Sequence, residues 1–218
     1  MAPFARGKIS SIDLTDVLNL PGVVETLIAS DIPGENDFSP THSGDDPVLV
    51  DRDVEYFGQP VFCVVGKSYE EARQAVKYGK IKGKDFKPIL DISEAIAKEN
   101  FVSQSHTMKR GDPEGAMKMA KRTVSGTLYI GGQEHFYLEG QVALAIPMES
   151  GGMFIQCSTQ HPSEVQHNVA KILKVPAHSI TVEVRRMGGG FGGKESQPAQ
   201  WAAMAALAAK KTGFPVKC

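Results

Sequence analysis

Arg185-Arg186-Met187-Gly188-Gly189-Gly190-Phe191-Gly192-Gly193-Lys194-Glu195 sets a run of glycines between a strand pattern and a helix pattern. Upstream, Ile180 to Val184 alternates apolar and polar residues, the period of a half-buried strand. Downstream, Ala199 to Lys211 is alanine-rich and ends at Gly213 before Pro215, which predicts a helix with a glycine stop. Glycine admits positive φ and lets a ligand approach the backbone. A helix start just beyond would add free N–H groups and a positive dipole end, a general recipe for holding anionic or oxo groups.

Two nucleotide motifs nearly match this stretch. Gly188, Gly190 and Gly193 satisfy G-x-G-x-x-G, but no acidic residue follows Glu195 to take a ribose hydroxyl. Gly188, Gly193 and Lys194 satisfy the front of a P-loop, but Glu195 stands where a magnesium-binding Ser or Thr belongs. A glycine turn without a ligand is the third reading, and the loop alone does not choose among them.

Working outward, the second half reads as a mixed α+β unit. Thr123 to Tyr129, Val142 to Ile146 and Phe154 to Ser158 are strand candidates, and Pro162 to Leu173 is a helix with Val165, Val169, Ile172 and Leu173 on one side. The first half also mixes strands and helices. Ile9 to Leu14 and Val23 to Ala29 are β-like, joined by a short turn ending in Pro21-Gly22. Val61 to Val65 is a continuous apolar run, as in a buried strand. Ser68 with Glu71 forms a capping box opening a helix. Phe86 to Leu90 is read as a strand and Ile92 to Lys98 as a short helix. Residues 99–122 are a connector in which Gly111-Asp112-Pro113-Glu114 starts one further helical turn. The chain ends as its next strand would begin, which suggests a piece of a longer protein.

Composition narrows the function classes. Lys and Arg number 24 against 25 Asp and Glu in 218 residues, so bulk charge drives binding to neither nucleic acid nor an anionic membrane. No apolar run reaches the roughly 20 residues of a membrane span. Cys63, Cys157 and Cys218 are scattered, without a C-x-x-C, and form no disulfide framework, zinc site or iron–sulfur site. A reducing, cytoplasmic setting is the default expectation.

Three strings carry a resemblance. Residues 185–195, the segment Gly131-Gly132-Gln133-Glu134-His135-Phe136-Tyr137-Leu138-Glu139, and Ser158-Thr159-Gln160-His161-Pro162 resemble the signatures of the molybdenum hydroxylases, in family order. Ser11-Ile12-Asp13, Pro21-Gly22-Val23-Val24, Asp31-Ile32-Pro33-Gly34 and Gly58-Gln59-Pro60-Val61 resemble the family's α/β hammerhead domain. The wording is most similar to bacterial xanthine dehydrogenase large subunits. The implied fold is α+β: a hammerhead domain at residues 1–98 lacking its leading strand, the connector at 99–122, and the first part of a molybdopterin-binding domain at 123–218.

The resemblance implies a molybdopterin cofactor, as the pterin or its cytosine dinucleotide, with no side chain bonded to molybdenum. It implies that Gln133 donates its amide to an oxygen on the metal. Phe191 and Gly192 would present backbone groups to the metal, and Gly190 and Gly193 would permit that approach. Glu195 would orient a purine ring; in aldehyde-oxidising relatives that position is usually apolar. Enclosed in a dry site, its carboxyl would have a raised pKa. The implied reaction is hydroxylation of xanthine or hypoxanthine, or of an aldehyde, with water as oxygen source. The family's general-base glutamate and a substrate-binding arginine lie beyond this sequence, so no catalytic residue is expected in it. Iron–sulfur and FAD modules, and the remaining molybdopterin-binding part, would come from a partner chain or missing domains. A non-catalytic binding or assembly module that keeps the fold is the alternative from another class.

Other constellations carry less. Glu164-x-x-His167 would need a second copy and two more glutamates to hold two irons. His161 reads as a residue of the helix start, Glu134 and His135 as structural neighbours of Gln133, Arg185 and Arg186 as supporting residues, and Lys194 as a loop-fixing or solvated charge.

Overall fold

Ile9 and Ile12 lie three residues apart, which in a regular strand would send them to opposite faces. The computed structural model describes residues 1–41 and 43–218, and in it this segment is β1 (Gly7–Asp13). A register shift between Ile9 and Ser11 turns Ile12 back toward the side of Ile9. The following elements are α1 (Thr15–Leu18), β2 (Val23–Ile28), β3 (Asp53–Val54), β4 (Phe62–Gly66), α2 (Tyr69–Ala75) and β5 (Lys80–Asp85). β1 lies between β3 and β5, and β2 pairs with β4; every pair is antiparallel. The N-cap half of the expected capping box forms, with Glu71 N–H donating to Ser68 Oγ at 3.2 Å, while the Glu71 carboxylate accepts from the Ser68 hydroxyl at 2.9 Å in place of the Ser68 backbone N–H.

Two expectations for this half are corrected. β1 and β2 are joined through the single helical turn α1, and they belong to different sheets. The fifth strand is Lys80–Asp85 rather than Phe86 to Leu90. It is an edge strand with Lys80, Lys82 and Lys84 at alternate positions, so it lacks the apolar run that marks a buried strand. Lysines on an edge also discourage pairing with another chain.

The chain divides into two compact units, residues 1–87 with 135–218, and residues 88–134. The smaller unit holds α3 (Ile92–Ala97), capped by Asp91 accepting from Glu94 N–H at 2.9 Å, and α4 (Pro113–Met119), capped by Asp112 accepting from Gly115 N–H at 3.0 Å. Thr123 to Tyr129 is exposed and forms no strand, a correction to its β-like pattern. β-propensity alone does not make a strand: the backbone needs a paired neighbour.

The larger unit continues with β6 (Ala143–Pro147), β7 (Met153–Cys157), α5 (Pro162–Leu173), β8 (Ile180–Glu183), α6 (Pro198–Thr212) and β9 (Val216–Lys217). Their sheet order is β8-β7-β6-β9, with β7 and β8 parallel and α5 crossing between them. Ala143, Ala145, Met153, Ile155 and Cys157 point to one buried face. Val165, Val169 and Ile172 of α5, at i, i+4 and i+7, belong to the same core. α6 is buried nearly all round, from Ala199 to Ala209. Alanine is the best helix former, and its small side chain lets helix and sheet approach closely. Pro198 opens α6 at its first turn, and Gly213, at φ 75°, closes it in the left-handed conformation, donating to Ala209 O at 2.9 Å. Leu27, Val48 and Leu49 from the first half join this core, so the two sequence halves share one interior. No described helix is long and apolar enough to cross a membrane.

Candidate functional site

Lys194 is the largest fully buried side chain among the described residues, at 0% exposed. A buried ammonium is costly unless each of its hydrogens finds a partner. Here Nζ donates to Glu139 Oε2 at 2.8 Å and to Ser158 Oγ at 2.8 Å, and it lies 4.7 Å from the centre of the Tyr137 ring. Ser158 Oγ in turn donates to Glu139 Oε2, and Gly188 N–H donates to the same oxygen at 2.9 Å. The Lys194 ammonium, the Ser158 hydroxyl and the Gly188 amide together hold the Glu139 carboxyl down to about 2.

Gln160 forms the other half of the clamp. Its Oε1 accepts from Gly192 N–H at 2.9 Å and from Lys194 N–H at 3.3 Å. Its backbone N–H donates to Lys194 O at 2.7 Å, and Thr159 Oγ1 donates to the same carbonyl at 3.2 Å. Gln141 Nε2 donates to Gly193 O at 3.2 Å and to Tyr137 Oη at 2.9 Å. Two of the three signature strings thus bond directly to the third. Residues 135–141, just before β6, and 158–160, between β7 and α5, hold the loop that follows β8.

These contacts explain two glycines. A Cβ at Gly190 would stand 2.4 Å from Gln160 Oε1, and one at Gly193 would stand 2.7 Å from Tyr137 Cε1 and 3.0 Å from His135 Cγ. Both positions need glycine so that side chains of the other signatures can approach. Phe191 is not glycine yet adopts φ 52°, and its side chain is 76% exposed. A bulky residue held in the left-handed region stores strain, which the clamp on both sides sustains.

The remaining expected site residues fall as follows. Glu195 is solvent-exposed, so the dry surroundings expected around it are not built by the described residues. Gln133 belongs to the smaller unit, is exposed, and donates from Nε2 to Gly132 O at 3.3 Å. The open helix start expected after the loop is corrected. Pro198 has no N–H, Ala199 N–H donates to Ser196 O at 3.0 Å, and Gln200 N–H donates to Gln197 O at 3.3 Å. Arg185 and Arg186 are exposed beyond the end of β8 and, with Glu139, Ser158 and Glu183, line a shallow cavity of about 270 Å³. His161 stands at the N-cap position of α5 without a side-chain cap bond, and its Nδ1 lies 2.9 Å from Glu164 Oε2. Among the described residues no set of three or more His, Cys, Asp or Glu could hold a metal ion.

Glu139, Ser158, Gln160 and Gln141 had no assigned roles at the level of sequence. The signal was present: a lysine inside one signature and a glutamate inside another are complementary charges, and the strings carry most of the polar partners.

Similarity to known proteins extends over nearly the whole chain. Residues 94–218 match the molybdopterin cofactor-binding domain, and residues 1–85 match the a/b hammerhead domain of aldehyde oxidase and xanthine dehydrogenase. Aldehyde oxidase 4 of Cavia porcellus is 40% identical over 215 residues, covering 98% of this chain and 16% of the relative. Xanthine dehydrogenase/oxidase of Gallus gallus is 39% identical over the same shares. The chain therefore spans about a sixth of the length of these curated relatives. The aldehyde oxidoreductase from Desulfovibrio desulfuricans ATCC 27774 superposes with a TM-score of 0.88 at 21% identity, covering 99% of this chain and 26% of that one. Quinoline 2-oxidoreductase from Pseudomonas putida 86 gives 0.83 at 23% identity, with 99% and 29% covered. With both domain matches in their family order and the signatures gathered on one loop, the chain belongs to the aldehyde oxidase and xanthine dehydrogenase family of molybdenum hydroxylases.

Proposed function

We propose that this chain is part of a molybdenum hydroxylase that oxidises purines of the xanthine and hypoxanthine type, with water as oxygen source. The observation that carries the reading is the clamped loop: residues 188–194 are held from both sides while Phe191 is left exposed and strained at the apex. A fold that stores strain in an exposed aromatic needs a use for that shape.

The residues fit the cofactor. A metal carried by a pterin requires hydrogen-bonding atoms rather than protein ligands, and the loop offers uncharged backbone groups. Beside it, Gln141 Oε1 is buried without a hydrogen-bond partner, although Nε2 of the same amide is engaged. Such an acceptor costs about 1–3 kcal/mol until a donor reaches it, and ring N–H groups of a pterin are donors of that kind. When bound, the cofactor would supply the hydroxylating oxygen and accept the electrons. Gln133 and the backbone of Phe191 and Gly192 would hold it, with Gly190 and Gly193 allowing the loop its shape. Glu195 would accept from, or donate to, the substrate ring and set its orientation.

The relatives include both aldehyde oxidases and xanthine dehydrogenases, so kinship alone does not choose the substrate. Glu195 favours the purine, because an aldehyde gives a carboxylate nothing to bind. On this reading the general base, the iron–sulfur and FAD modules and the rest of the molybdopterin-binding part would be supplied by further segments or a partner. Mixing with a complementary downstream chain, followed by molybdenum analysis and xanthine turnover, tests this. In the assembled enzyme, Glu195→Ala is expected to lower xanthine turnover by about a hundredfold while the molybdenum content holds, as loss of a substrate-orienting hydrogen bond does. Equal loss of metal and turnover would refute the substrate role.

A further inference from the structure

We infer that Lys194 is a positioning residue, whose buried ammonium locks the glycine loop into the one shape that can receive the cofactor. The inference rests on the functional reading above and goes further, because it assigns the loop's geometry to a side chain that touches neither substrate nor metal.

The geometry argues for a lock rather than for general stability. Lys194 sits at the C-terminal end of the loop, and Gly188 at its N-terminal end. Both ends meet on one atom, Glu139 Oε2, through the Lys194 ammonium at 2.8 Å and the Gly188 amide at 2.9 Å. The residues between are therefore a closed span whose two feet share a single acceptor. Gln160 Oε1 sets the interior by holding Gly192 N–H, and Gly193 N–H donates to Gly190 O at 2.7 Å, folding the chain around Phe191. If the ammonium were removed, the Ser158 hydroxyl and the Glu139 carboxylate would lose their shared donor, and the lysine's end of the span would no longer be held to Glu139. A solvated lysine could not do this. The side chain is 0% exposed and its ammonium lies 4.7 Å from the Tyr137 ring centre, a fully enclosed place that arginine's wider planar head would not enter without moving its neighbours.

Hydrogen exchange of the 218-residue chain supplies the first test. In Lys194→Met, which keeps the length and removes the charge, the amides of Gly188, Gly192 and Lys194 are expected to exchange about tenfold to a hundredfold faster. That is the effect of losing a charge-assisted bond on local opening. Amides of α6 and β6 should keep wild-type rates. Unchanged loop rates, or acceleration spread equally over α6 and β6, overturn the lock. If Lys194→Met does not fold, Ser158→Ala loosens the same junction without leaving a buried charge unpaired; the same local pattern supports the lock, and its absence overturns it.

The second test measures molybdenum per protein in the assembled enzyme. A wild-type enzyme without molybdenum sinks the cofactor reading and leaves the exchange result standing. A loosened variant that still carries the full complement of molybdenum overturns the positioning role alone. Loss of molybdenum in Lys194→Met with retention in Lys194→Arg would also overturn it, since the lock depends on the compact ammonium.

Discussion

Replacing Glu139 by Gln isolates the electrostatic part of the clamp. The amide keeps the size and one acceptor oxygen, but the Lys194 ammonium loses its counter-charge. The Glu139 carboxyl is held at about 2 against an ordinary value of 4.5, with the bond from Lys194 as the largest cause, then Ser158 and the Gly188 amide. At full weight that gap corresponds to roughly 3 kcal/mol. Glu139 is 36% exposed, and solvent screening brings the expected contribution to about 1–2 kcal/mol. Because the folded value lies below the unfolded one, the contribution is fully present above pH 4.5 and is lost as pH falls through about 2. Urea unfolding of both proteins at pH 7, 5, 4, 3 and 2.5 is the assay. Asp13, Asp31 and Asp37 also titrate low, but they are common to both proteins and cancel in the difference. The wild type should lead by about 1–2 kcal/mol at neutral pH, and the lead should shrink steadily below pH 4.5. A gap that stays constant from pH 7 to 2.5 would refute the electrostatic account, as would a Gln variant that is the more stable at pH 7.

Gly193→Ala forces a Cβ to within 2.7 Å of the Tyr137 ring, and overpacking of this kind should cost about 1–3 kcal/mol in chemical denaturation. Ile155→Ala, at a fully buried position of β7, should cost about 2–5 kcal/mol, and a smaller loss would mean that the sheet does not face the shared core. Ser68→Ala removes the cap of α2 and should cost about 1 kcal/mol in thermal unfolding, with no change in exchange at the glycine loop. Burial pushes the thiols of Cys63 and Cys157 up to about 12, so both should resist iodoacetamide at pH 8 in the native chain and react only in denaturant; labelling of either before unfolding contradicts the packing.

Elements whose pattern is local were legible in the sequence. The helix Pro162–Leu173 begins and ends where its apolar spacing places it, and Ser68 caps α2 by accepting from Glu71 N–H, as its place three residues before Glu71 predicts. Elements defined by a partner were not. β5 is lysine-rich because it is an edge, and only its pairing with β1 identifies it. Thr123 to Tyr129 has strand composition and no strand beside it among the described residues. The site divides along the same line. The three strings were visible one by one. That Glu139 and Lys194, far apart in sequence, share a buried junction depends on β6, β7 and β8 being neighbours in one sheet, which no spacing along the chain encodes.

The same junction answers why a lysine is used at all. A buried ion pair seldom stabilises more than a well-packed apolar pair would, because taking two charges out of water offsets most of their attraction. Stability alone would thus be served as well by a methionine against a leucine. An apolar pair, however, tolerates sliding, whereas an ammonium with three required partners in three directions does not. Glu139, Ser158 and Tyr137 fix the position of Lys194 Nζ from different sides, and through Lys194 they fix the end of the loop. What the ion pair contributes is uniqueness of shape. That uniqueness is of use only if the residues between the two feet, with Phe191 at their apex, must meet something whose own geometry is rigid, as a metal bound to a fused pterin is.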